Sequence, residues 1–154
     1  MKKLLAPLLI SVLVLTGCGS SVHGIFKLPL SPVPLVMNVD TTILSHLIVS
    51  VASGSYSKQA TKDGAIAQSI LYYQPNTGAK VIFLSFYEFP AQKFDRLTNP
   101  AEPPPYGTEV LRKNGFVYSV AGPQDSIFDP KTADGKNITA LYTTIYKSDT
   151  YTAQ

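Results

Sequence analysis

The chain has 154 residues and a formal net charge of +3, with 45% hydrophobic and 15% charged residues. Lys2 and Lys3 supply most of that charge. Without them 11 basic residues stand against 10 acidic ones, scattered from Lys27 to Lys147, which gives no support for a nucleic-acid or anionic-surface partner. A single Cys excludes an intramolecular disulfide, and nine Tyr and seven Phe with abundant Val, Ile and Thr lean the chain toward β structure.

Lys2 and Lys3 precede an apolar run from Leu4 to Leu15, broken only by Pro7 and Ser11, and small residues follow. That is the three-part layout of a secretory leader. Twelve residues at about 1.5 Å each reach roughly 18 Å, well short of a hydrocarbon core of about 30 Å. Leu15-Thr16-Gly17-Cys18 at the end of this run resembles the lipobox of bacterial lipoproteins, and the resemblance covers residues 1–18. It implies that Leu15, Thr16 and Gly17 are read by the processing enzymes. It also implies that Cys18 carries a diacylglycerol thioether, with the chain cut just before it and the new amino group acylated by a fatty acid such as palmitate. Two or three acyl chains hold a protein stably where one anchors only marginally. The division that follows is a signal peptide over 1–17, a lipidated tether over 18–24 and one globular domain over 25–154. Gly19 stands where Gram-negative members retained in the inner membrane carry Asp. The resemblance therefore implies the outer membrane of a Gram-negative cell, or the outer face of the membrane of a Gram-positive one. With its one Cys so used, the mature domain holds no thiol for catalysis or zinc.

Beyond the tether, Pro29, Pro32 and Pro34 make residues 25–36 extended and edge-like, because proline cannot donate to a ladder. Residues 40–54 fit two patterns. Ile43, Leu44, Leu47, Ile48 and Val51 have helical spacing, with Asp40 as N-cap and Gly54 as stop, but β-branched residues favour a strand. Residues 65–74 and 79–89 flank Pro75-Asn76-Thr77-Gly78 and predict a hairpin. Its second arm is apolar on both faces, Val81, Phe83, Tyr87 and Phe89 alternating with Ile82, Leu84 and Phe86, which predicts a central strand covered on both sides. Pro90 opens a short helical turn carrying Phe94 and Leu97. A proline-rich loop follows to Gly107, and Asn114-Gly115 predicts a type I′ turn between Val110-Leu111 and Phe116-Val117-Tyr118. Ile138, Leu141, Tyr142 and Ile145 predict an amphipathic helix over 137–147, with Lys147 suited to its C-terminal dipole. The expected fold is α+β, an antiparallel sheet with the C-terminal helix packed on it; a β-sandwich is the alternative.

Few constellations carry chemistry. His23 and His46 are the only histidines. His46 with Asp40 or Asp63 is the one hydrolase-like combination, without a Gly-x-Ser-x-Gly elbow. Asp125, Asp129 and Asp134 lack the alternation and closing Glu of a calcium loop, so turn and capping roles are the plainer reading. Glu88, Glu102 and Glu109 offer carboxylates for a glycosidase pair with no spacing to test. Asn137-Ile138-Thr139 matches a glycosylation sequon, of no consequence in a bacterial helix. Pro103-Pro104-Pro105-Tyr106 is a stiff segment ending in an aromatic ring, and is the candidate binding loop. No metal-ligand spacing or phosphate loop points to a cofactor. The sequence thus leads to a lipid-anchored cell-envelope protein, a non-catalytic binding or accessory domain whose partners are the membrane through Cys18 and an envelope protein or small ligand. An envelope hydrolase and a structural or immunity-type surface lipoprotein are the alternatives. Convergence of His46 or two carboxylates in an apolar cleft would favour the hydrolase; an exposed aromatic patch at Tyr106 would favour protein binding.

Overall fold

The computed structural model describes residues 24–123 and 127–154. Two antiparallel sheets form its frame, one of three strands in the order β1-β2-β8 and one of five in the order β3-β4-β5-β7-β6. β1 (Ile25–Pro29) and β2 (Leu35–Asp40) bear out the extended reading of the proline-rich start, with Lys27 and Pro29 on an edge strand. Residues 40–54 settle on the strand: Leu44–His46 make one 3-10 turn and β3 (Leu47–Val51) follows. Asp40 caps no helix. Its carboxylate accepts the Thr42 backbone N–H and hydroxyl, each at 2.8 Å, and fixes the turn instead.

Gly54 opens a helix rather than stopping one. α1 (Gly54–Lys62) was not foreseen, because its sequence has no apolar stripe. Ala60 is fully buried, and Gln68 of the neighbouring strand donates to the Ser57 carbonyl at 3.1 Å and the Thr61 hydroxyl at 2.9 Å, so packing and side-chain bonds stand in for periodicity. The predicted hairpin is β4 (Ala67–Tyr73) and β5 (Val81–Pro90), and β5 is the central strand of the large sheet.

Its simple alternation does not hold. Leu71 pairs with Leu84 but Tyr72 with Ile82, so Phe83 is an extra residue in a bulge. Phe83 and Leu84 therefore both enter the main core, followed on that face by Phe86, while Tyr87 and Phe89 turn to the other face. β6 (Thr108–Lys113) repeats the device at Val110 against β7 (Phe116–Ala121). Between β6 and β7, Asn114 at φ 53° and Gly115 at φ 81° form the expected turn of type I′.

α2 (Ala91–Leu97) starts after Pro90 and buries Phe94, as read from the sequence. α3 spans Ala133–Tyr142, not 137–147. It starts early because the Thr132 hydroxyl accepts the Gly135 N–H at 3.0 Å. Past its end the Thr143 and Thr144 hydroxyls donate to the carbonyls of Ala140 and Leu141, at 2.7 and 2.9 Å. Lys147 thus lies beyond the helix and does not serve its dipole. Ile138, Leu141 and Ile145 are buried all the same. The last strand, β8 (Tyr151–Ala153), was not anticipated; it pairs with β2.

The architecture is α+β. Residues of the three-stranded sheet and of α3 share one core with the large sheet, built on Leu35, Met37, Leu71, Phe86, Val120 and Ile138. On the opposite face, Tyr87, Phe89 and Val117 pack with Ala60, Phe94 and Tyr106 in a second cluster.

Candidate functional site

α1, α2 and the proline-rich loop cover only one half of that second face. Cross-strand partners share a face, so the register identifies what the other half presents. Ile48 of β3, Tyr72 of β4 and Ile82 of β5 form one row; Ser50, Ile70, Ser85 and Ala121 form the next. Ile82 is 55% exposed and Ile48 38%, while Ile70 and Tyr72 are half-buried. The Lys80 ammonium lies 4.2 Å from the centre of the Tyr72 ring. The bulge produces this exposure, since it sends Phe83 inward and leaves Ile82 facing out. The sequence expectation of a strand covered on both sides is therefore correct for Phe86–Phe89 and wrong at Ile82.

The exposed face runs into a groove. One cavity of about 280 Å³ is lined by Ile82, Ser85, Ala121, Gly122 and Pro123. A second of about 330 Å³ shares Ala121 and Gly122 with it and is walled by Pro103, Pro104, Pro105 and Tyr146. Of the predicted binding loop, the three prolines are exposed at the groove rim, but Tyr106 is only 4% exposed. This corrects the reading of Tyr106 as an outward docking ring. It packs inward, 5.2 Å from Tyr87 and 5.1 Å from Phe89 between ring centres, and its hydroxyl donates to the Asp63 carboxylate. That bond, with a second from Gln59, holds the Asp63 carboxyl below its ordinary range. At Gly107 the φ is +78°, and a Cβ would lie 2.0 Å from the Val120 carbonyl oxygen, so only glycine lets the loop run this close to β7.

The other candidate residues are engaged elsewhere. His46 stacks on Tyr73 at 5.3 Å, and its Nδ1–H donates to the Gln74 carbonyl at 2.7 Å. Asp40 and Asp63 are held in the turn and the loop anchor just described. Asp134 accepts from the Tyr73 hydroxyl at 2.9 Å and from Asn76 Nδ2 at 2.8 Å, while Asn137 donates to the same hydroxyl at 3.0 Å. Burial first, and then Asp134, push the Tyr73 phenol upward against the opposing pull of Asn137. Asp129 accepts the Lys131 N–H, and Asp125 lies outside the described residues. Among the described residues no three His, Cys, Asp or Glu gather as a metal site.

The carboxylates do not pair. Glu88 faces the main core, nearly buried, where the Tyr118 hydroxyl donates to it at 3.1 Å and desolvation raises its pKa. Glu109 lies on the opposite face with Arg112 and Asp95. Glu102 is exposed in the loop. Another cavity, of about 440 Å³, lies against the start of α2 beside Lys93 and Arg96 and has no carboxylate, hydroxyl or thiol side chain in its lining. Leu15, Thr16, Gly17, Cys18 and His23 lie outside the described residues.

Among the described residues the arrangement offers apolar contact and a stiff rim, without a group placed to activate a nucleophile or stabilise charge. Sequence reading missed the row Ile48, Tyr72, Ile82. Each residue was visible, but their adjacency depends on the pairing of three strands and on one bulge. Comparison with protein-family models, with curated proteins and with solved structures finds no match for this chain.

Proposed function

We propose that this chain is a lipid-anchored protein of the bacterial cell envelope whose folded part is a non-catalytic binding domain. The lipobox-like Leu15-Thr16-Gly17-Cys18 supports the anchor. The observation that carries the binding role is the apolar sheet row Ile48, Tyr72, Ile82, continuous with a groove rimmed by Pro103, Pro104 and Pro105. Isolated exposed apolar residues are ordinary, but a contiguous row beside a preformed groove marks an interaction surface. The stiff proline rim loses little entropy on docking.

Two measurements test the two halves. Cys18→Ala abolishes labelling by a fatty-acid analogue and releases the protein from the membrane fraction; undiminished labelling refutes the anchor. For the binding surface, partners are captured from detergent-solubilised envelope with the parent and with Tyr72→Ser/Ile82→Asp. Partner capture lost in the double variant, at unchanged melting, supports the site. A purified protein that turns over envelope substrates while capturing nothing overturns the binding reading.

A further inference from the structure

The five-stranded sheet ends at β3, and this edge is built unlike the others. Exposed strand edges invite pairing with other chains, and proteins blunt them with charge, proline, bulges or shortness. β1 carries Lys27 and Pro29. β6 carries Glu109, Arg112 and Lys113 and is bulged at Val110. β8 has three residues. β3 is Leu47-Ile48-Val49-Ser50-Val51, with no charge, no proline and no bulge against β4. Val51 is 65% exposed and Ile48 38%. Among the described residues only β4 pairs with it.

The hydrogen bonds show which groups face outward. The Gln74 N–H donates to the His46 carbonyl at 2.7 Å and the Ala52 N–H to the Gln68 carbonyl at 3.4 Å. In an antiparallel ladder the bonded residues alternate, so His46, Ile48, Ser50 and Ala52 bond toward β4, and Leu47, Val49 and Val51 direct their main-chain groups away from it. The Leu47 N–H is already taken by the Leu44 carbonyl. This leaves the Leu47 carbonyl, both groups of Val49 and the Val51 N–H, while the Val51 carbonyl accepts the Ser50 hydroxyl at 3.5 Å.

From this pattern we infer that β3 is the pairing edge of a homodimer, joining a second copy of the chain antiparallel about a two-fold axis through Val49. Full overlap of the two five-residue strands places Val49 against its own copy as a bonded pair and the Val51 N–H against the Leu47 carbonyl on either side, about four main-chain bonds. A strand without charge meets no like-charge repulsion in an identical partner, and it offers a charged partner nothing to read. Leu47 lies opposite Val51 across the axis, which covers the most exposed residue of the edge. On the outer face Ile48 lies opposite Ser50 of the other copy. The row Ile82, Tyr72, Ile48, which ends at this edge, then continues into the Ser50, Ile70, Ser85 row of the second copy. The joined sheets form one surface of ten strands. The inference stands on the edge alone and is independent of the lipid anchor.

The register supplies its own test. Ile48 and Ser50 face each other as a non-bonded pair, with Cα atoms about 4.5 Å apart, within disulfide reach. Full-length Ile48→Cys and Ser50→Cys proteins, each alone and mixed, are oxidised mildly in detergent with micelles in excess, with the parent as baseline for Cys18. The mixture is expected to give several-fold more disulfide dimer than either variant alone. Adding Val51→Pro to both removes an outward N–H without touching the ladder to β4, and is expected to return the yield to baseline at unchanged far-UV circular dichroism. A mixture no better than the single variants, or a yield indifferent to Val51→Pro, overturns the proposal.

Discussion

Truncating Tyr106 to Ala tests whether the proline rim is fixed from inside. The ring is 4% exposed, contacts Tyr87 and Phe89 edge-on or tilted, and closes the second cluster over the sheet. Removing a buried aromatic side chain costs roughly 3–5 kcal/mol, through lost burial and the cavity left behind. The loop above can partly collapse into that space, which places the expected cost near the lower end, about 3 kcal/mol. For a chain of this size that corresponds to a fall in Tm on the order of 10 °C. Thermal unfolding followed by circular dichroism reads it, and amide hydrogen exchange over residues 98–107 should accelerate before global unfolding. Tyr106→Phe keeps the ring and loses only the donor to Asp63. It should melt close to the parent while the Asp63 carboxyl moves back up toward its ordinary range, read by NMR titration. A carboxyl depressed in the folded state adds stability above its unfolded pKa and loses it as pH falls through the folded value, so the phenylalanine variant should show less acid sensitivity than the parent. If Tyr106→Ala melts within about 2 °C of the parent, as a surface change would, the ring does not hold the loop and the groove has no fixed wall.

Two further predictions concern polar groups at the core margin. Glu88 has its pKa raised by burial, so what it adds to stability is complete at low pH and is lost as pH rises through its folded value. Glu88→Gln should therefore raise Tm at neutral pH, with the gain vanishing below the ordinary carboxylate range; an equal gain at both would contradict the assignment. Asp134→Ala removes the acceptor for the Tyr73 hydroxyl and the anchor of Asn76, and should cost about 1–3 kcal/mol in denaturant unfolding. Asp134→Asn should retain most of it, and a neutral alanine variant would show that this network does not tie the hairpin turn to α3.

Features set by neighbouring residues were legible in the sequence. Pro75 to Gly78 specify a turn, Asn114-Gly115 tolerate the left-handed backbone of a type I′ turn, and Pro90 admits a helix start, each through the φ values those residues permit. The apolar spacing of Ile138, Leu141 and Ile145 named buried residues correctly even though α3 ends before the last of them, because burial needs only a shared face. By the same logic the α+β class followed from β-rich segments and one amphipathic stretch.

Tertiary structure decided what depends on residues far apart in the chain. α1 has no stripe to announce it and is held by Gln68 from a strand. β8 has three residues and exists only because β2 lies beside it. A one-residue bulge at Phe83 reverses every side chain beyond it, and no local signal specifies on which strand the extra residue falls. Through that bulge Ile82 faces out in line with Tyr72 and Ile48, and through the Tyr87 and Phe89 rings Tyr106 faces in. Local chemistry determined where this chain turns; long-range pairing determined which side of each strand meets water, and with it the surface available to a partner.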